Sequence, residues 1–387
     1  MPPQRNPQID LPLKITLTPQ GVEWFVRNRR RLSQLRMADS RLEYGITVSG
    51  FPASALQQMI NIDYITAIEL ARTEFSSKRR EIIDLTKLIA FRLLYRKFED
   101  ESYRRFLNSR LIKRWNRSNP TRVLDRDTMF NQATLESFLS AVAADIPGVS
   151  RRLQQVVMAR VQADASLGTE ERRLRSFLID AFVLSLRKII WYVLVRTRGQ
   201  PECDELVREF QLLLAEYVDK ALIAEYLALM VIEITSHTEL THYRQVAARL
   251  YDNPRAAASV ASNQRLRTAV QREMEREGDL LYLTYQLGGK GASIGTEHRL
   301  RITVANQEKE YARVRDQLEK KPEPGPREKS LADFYRQTPS DSVGTELGRY
   351  YLSFLQSACE KQNVRIESIV NQPARSDLTV IRLSLQF

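Results

Sequence analysis

The chain has 387 residues, of which 43% are apolar and 27% charged, and a formal net charge of +12. That length can hold two separate cores, and that composition excludes a disordered chain. Its two cysteines, Cys203 and Cys359, have neither the CxxC spacing of a zinc site nor the number of a disulfide framework.

A reducing, cytoplasmic setting is therefore expected, and Met1 to Leu11 is polar and proline-rich, without the apolar core of a signal segment. The positive balance favours acidic partners, nucleic acid or an anionic membrane face among them, without choosing between them. The longest apolar stretch, Phe177 to Val195, contains Asp180, Arg187 and Lys188. Charges at those positions are costly in a bilayer, so a buried helix is predicted there and no transmembrane segment.

In chain order, Leu13, Ile15 and Leu17 alternate as in a strand. After Pro19 the apolar positions Val22, Trp24, Phe25, Leu32 and Leu35 predict a helix, and Leu42, Tyr44, Ile46 and Val48 predict a second strand. From Ser54 to about Arg117 the spacing predicts helices, over Ile60 to Phe75, Lys78 to Phe98 and Glu101 to Trp115. Further helices are predicted over Thr134 to Ile146, Val149 to Ala165, Thr169 to Val195 and Asp204 to Thr241, with a polar, basic helical insertion over residues 244–276. Leu280 to Tyr285 and Arg299 to Val304 read as a hairpin around Gly288, Gly289, Gly291 and Gly295.

Arg104, Arg105, Arg110, Lys113, Arg114 and Arg117 form a basic run interleaved with Tyr103, Phe106 and Trp115. Such a run can neutralise phosphates, so it is a candidate anion-binding or nucleic-acid-binding helix. The competing expectation is a helix with Phe106, Leu107, Leu111 and Ile112 in the core and its arginines paired with acids elsewhere. No spacing predicts a metal site or a catalytic nucleophile; His237 and His242 stand five apart, off the three-or-four spacing of a helical pair.

The most informative stretch runs from Gly344 to Phe387. Gly344-Thr345-Glu346-Leu347-Gly348 leads into a helix with Tyr351, Phe354, Leu355 and Ala358 on one face. Asn363 suits the left-handed position past its end, and strands follow over Val364 to Val370 and Leu378 to Leu385. This unit resembles the C-terminal end of the ATP-binding domain of histidine kinases, gyrases, heat-shock chaperones and mismatch-repair proteins, the GHKL or HATPase fold. The resemblance covers about 170 residues from near Val218, and extends to a helix carrying an acid, a hairpin and a lid-like segment at 307–343.

The helical spacing predicts a mainly α N-terminal region with two short strands (1–200), and the resemblance implies an α/β C-terminal domain (201–387) with helices on one face of a mixed β-sheet. It also implies a nucleotide site at Glu233, His237, Asn306, Gly344 and Gly348, with ATP and Mg²⁺ as cofactors where the pocket is kept. Here the family's metal-binding Asn falls on His237, its adenine-reading Asp on Asn306, and its middle glycine on Glu346. A carboxylate at a helix N-terminus competes with phosphate for the same amides. No histidine precedes residue 237, so a phospho-accepting histidine in the N-terminal region is excluded. The expectation is a non-catalytic regulatory or scaffold protein that uses neither cofactor and binds a protein or anionic partner. The alternatives are an ATP-binding GHKL-type ATPase or kinase, and nucleic-acid binding through the basic helix.

Overall fold

The computed structural model describes residues 8–38, 41–121, 123–125, 132–288, 298–306, 327–337, 345–372 and 380–387. In chain order it begins with β1 (Gln8–Ile9), β2 (Leu13–Leu17), α1 (Pro19–Arg27), β3 (Ser33–Arg36), β4 (Leu42–Val48), β5 (Phe51–Pro52), α2 (Ala53–Asn61) and β6 (Ile65–Arg72). Helices follow as α3 (Arg79–Asn108), α4 (Arg110–Ser118), α5 (Gln132–Ala141), α6 (Ile146–Ala163), α7 (Thr169–Leu184) and α8 (Lys188–Arg196). The 51-residue α9 (Pro201–Tyr251) leads to α10 (Pro254–Ser259) and α11 (Gln264–Glu277). The chain closes with β7 (Leu281–Leu287), β8 (Arg299–Ala305), β9 (Arg327–Lys329), α12 (Leu331–Gln337), α13 (Thr345–Lys361), β10 (Arg365–Gln372) and β11 (Val380–Gln386).

The protein is mixed α/β and forms two compact units, one of residues 1–93 with 223–387 and one of residues 94–222. This differs from the expected boundary near residue 200, for a reason visible in the sheet. Its nine strands run β3-β4-β2-β6-β7-β8-β11-β10-β9, so the N-terminal strands pair with the C-terminal ones through β6 and β7. The expected mixed sheet is also corrected, because every pairing in it among the described residues is antiparallel.

One face of the sheet aligns Ile15, Ile68, Tyr285, Ile302 and Leu383 in register, all of them buried. Tyr285 reaches from this face to Thr86 of α3, 2.7 Å between hydroxyls. At the far edge Ser368 accepts a hydrogen bond from the first amide of α12, 3.2 Å from Leu331 N. α3 and α12 therefore cover the apolar face.

Several predicted elements stand: β2, β4, the hairpin β7–β8, α13 and the hairpin β10–β11. Asn363 has φ of 55°, the left-handed residue expected after α13. The predicted helix over Ile60 to Phe75 is corrected, since α2 ends at Asn61 and residues 65–72 are β6. A central strand buried on both faces carries no strict alternation, so its pattern matches a buried helix. The helix after Pro19 likewise stops at Arg27, and Leu32 and Leu35 lie outside it. The glycine-rich tip at 289–297 and most of the lid-like segment lie outside the described residues.

The second unit is helical. Tyr95, Phe98, Phe182 and Tyr217 form its aromatic centre, with ring centroids 4.5–5.8 Å apart. The apolar stretch from Phe177 breaks between α7 and α8, and Phe177 and Leu184 are exposed while Leu178, Phe182 and Val193 are buried. Among the described residues no helix is long and apolar enough to cross a membrane.

In the first unit a buried carboxylate fixes the entry to α3. Glu239 of α9 accepts from Phe75 N at 2.6 Å, Ser76 N at 3.0 Å and Ser76 Oγ at 2.7 Å, and Arg267 of α11 lies 3.4 Å away. Removing the carboxylate strands buried donors, which is costlier than losing exposed bonds. Glu239→Ala is expected to destabilise the protein by about 2–4 kcal/mol in urea unfolding; a change below about 0.5 kcal/mol, the range of ordinary surface substitutions, contradicts this role.

Candidate functional site

Helix α9 presents Glu233 and His237 one turn apart, and α13 presents Gly348 in its first turn. The structure brings these three together around one residue that the sequence pattern did not single out, Tyr335 of α12. Tyr335 is fully buried, and its ring passes so close to Gly348 that a Cβ there would lie 2.5 Å from Cε1 and Cζ. The His237 ring meets Phe334 edge-on at 5.3 Å and Tyr335 at 6.3 Å. Arg349 Nε donates to the Tyr335 carbonyl at 2.7 Å, and Arg349 Nη2 donates to the same oxygen. These bonds hold the end of α12 against the start of α13.

The electrostatics follow from burial. Desolvation raises the Glu233 carboxyl above the ordinary carboxylate range, and Arg79 pulls it back in part. The same burial, with the Arg244 charge, lowers His237 below the ordinary imidazole value. Desolvation first and Glu233 second push the Tyr335 phenol upward. Among the described residues the Tyr335 hydroxyl has no hydrogen-bond partner. Glu233, His237 and Gly348 thus surround one buried aromatic ring, that of Tyr335.

Asn306 follows β8 and is buried, and among the described residues its Oδ1 has no hydrogen-bond partner. Among the described residues no bond joins it to Glu233, His237 or Gly348. Gly344 lies outside the described residues. The signal that could have found Tyr335 was present: Leu331, Phe334 and Tyr335 are apolar at helical spacing within the lid-like segment, and all three are buried. Spacing did not mark His242 as buried; its Nε2 lies 2.9 Å from Asp279 Oδ1. Among the described residues no cluster of three metal-ligating groups occurs.

The basic run belongs to the second unit and is two helices, because Ser109 caps α4 by accepting from Ile112 N at 3.2 Å. Leu111 and Ile112 are buried, as the competing expectation had them. Arg114 pairs with Glu202 at 2.7 Å and Arg110 with Glu205 at 3.4 Å. Arg104, Arg105, Arg110 and Lys113 line a cavity of about 620 Å³, but Glu202, Glu205 and Glu209 line it too. Arg117 is exposed. The structure therefore gathers the basic residues and sets carboxylates among them, which lowers the field available to an anion.

The family described as "Family of unknown function (DUF8084)" matches residues 4–387. The chain belongs to DUF8084. A protein of Treponema pallidum (strain Nichols), described as "Uncharacterized protein", is 30% identical to this DUF8084 member over 380 residues, covering 98% of each chain. No solved structure matches the chain.

Two expectations follow for this site. Gly348→Ala is expected to cost roughly 1–3 kcal/mol by overpacking against Tyr335. A Tyr335→Leu background should remove most of that loss, and undiminished loss in the double variant contradicts the contact. For His237 the folded value lies below the unfolded 6.5, so the unfolded chain takes up the proton first as pH falls. Its contribution is thus present above about pH 6.5 and lost below it, and His237→Gln should flatten the fall of unfolding free energy between about pH 7 and 5. An identical pH profile in the variant contradicts the burial argument.

Proposed function

We propose that this chain is a non-catalytic regulatory or scaffold protein, built on a degenerate histidine-kinase-like ATPase (GHKL) fold, that binds a partner and does not turn over ATP. The observation that carries the proposal is the Tyr335 ring against Gly348, between that glycine and His237. In the family a glycine in this box lets phosphate approach the helix amides; here an aromatic ring takes the equivalent approach.

The fold part of the proposal draws support from element order. An acid-bearing helix α9, the hairpin β7–β8, the lid-like region, helix α13 and the hairpin β10–β11 follow in the expected sequence, and the two hairpins lie side by side through β8 and β11. A protein partner is supported by Leu347, Tyr350 and Phe354, exposed at 44%, 59% and 38% on α13. A reducing, cytoplasmic setting is part of the same reading, supported by Cys203 and Cys359 being free and buried.

One observation favours a second reading, an ATP-binding GHKL-type ATPase: among the described residues the Oδ1 of buried Asn306, where the resemblance expects the adenine-reading Asp, has no hydrogen-bond partner. Calorimetric titration of the full chain with Mg-ATP separates the two. The proposal expects no saturable heat that depends on Glu233 or Asn306. Saturable binding that vanishes in both Glu233→Gln and Asn306→Ala, with ATP hydrolysis lost in the first, establishes the second reading instead.

A further inference from the structure

The face of the sheet opposite Tyr285 carries an arrangement that the Tyr335 site does not use. Lys14, Glu69, Thr284, Thr303 and Arg382 stand in register across five strands, and Arg301 and Gln286 stand in the next rung. Together with Met37 and Ala38, residues of these rungs line a cavity of about 510 Å³. That is the size of small-molecule sites, which carry a few placed polar groups.

The two carboxylates of the cavity are already engaged. Glu69, 1% exposed, accepts from Ala38 N at 3.0 Å, Lys14 Nζ at 3.3 Å and Thr284 Oγ1 at 3.4 Å. Glu43 faces Arg41 at 3.6 Å. Arg382 is different: its Nε is shut off from solvent and, among the described residues, has no hydrogen-bond partner. Among the described residues no carboxylate lies within ion-pair distance of its guanidinium. A buried donor left without an acceptor is costly, and folded proteins keep few of them. An acceptor supplied from outside removes that cost. Thr303, buried on the adjacent strand, places a hydroxyl beside the same space. Arg301, which donates to Gln286 at 3.4 Å, adds positive charge to the wall.

We propose that this cavity binds a small organic oxyanion, a phosphate or carboxylate carried on a metabolite-sized molecule, with its charged group on Arg382 and the Thr303 hydroxyl. The guanidinium fork matches the paired oxygens of either group, and a charge-assisted bond at a shielded site is stronger than one at an open surface. The site shares no residue with the Tyr335 cluster, so it stands or falls separately from the proposed function.

The test is calorimetric titration of the full chain with inorganic phosphate, ribose 5-phosphate and citrate. At least one probe is expected to saturate at one site per chain. Arg382→Gln should weaken it by about tenfold or more, the loss of one charge-assisted bond. Thr303→Val, nearly isosteric, should weaken it with unchanged thermal unfolding, and Arg255→Gln on α10 should leave it unchanged. Saturation by the phosphates alone assigns a phosphorylated ligand, and by citrate alone a carboxylate. No saturable binding of any probe at millimolar concentration overturns the proposal, as does undiminished binding in Arg382→Gln or an equal loss in Arg255→Gln.

Discussion

The pairing of β6 with β7 is the constraint on which the rest of the first unit depends. Six rungs, from Ala67 opposite Gln286 to Arg72 opposite Leu281, join strands from the two ends of the chain. Glu69 and Thr284, which meet across this ladder, are 215 residues apart in sequence. Closing a loop of that length costs about 5 kcal/mol in its length-dependent part alone. Burial on the apolar face offsets it, since Ile68, Leu70, Leu283 and Tyr285 are all excluded from solvent. The same ladder sets Glu69 beside Thr284 on the opposite face, so the polar cavity exists only because the two ends have paired.

The seam also explains how the two proposed features coexist. The apolar face holds α3 through Thr86 and Tyr285 and α12 through Ser368. α12 in turn carries Tyr335 to the first turn of α13, where its ring occupies the approach to Gly348. The other face keeps Arg382 and the threonines. An aromatic ring fills the space beside Gly348, whereas among the described residues Arg382 Nε has no acceptor.

The C-terminal hairpins and α13 were legible because each buries a single face, which prints a period of two or of 3.6 on the sequence. β6 was not: Ile65, Ile68 and Leu70 are buried toward one neighbour while Ala67 and Glu69 are buried toward another, which erases the alternation. The division near residue 200 failed for a related reason, since pattern reading is local and the β6–β7 register is not. At the site, Glu233, His237 and Gly348 were named through the resemblance to the GHKL fold and not from periodicity; two helices carry them. The burial of Tyr335 was legible in its spacing from Leu331, but its place against Gly348 is a property of the folded chain alone. Arg382 was invisible, since its surroundings come from strands scattered from Thr16 to Thr303, and the missing partner of its Nε among the described residues is a property of the assembled sheet alone.

Native-state hydrogen exchange of the intact chain addresses the seam most directly. If the two ends fold as one cooperative sheet, the amides of Ile68 and Leu70 open with the same free energy as those of Leu283 and Tyr285, in a single unfolding step. Exchange of Ile65–Arg72 through a separate, lower-energy opening, with β7, β8 and β11 still protected, contradicts the account.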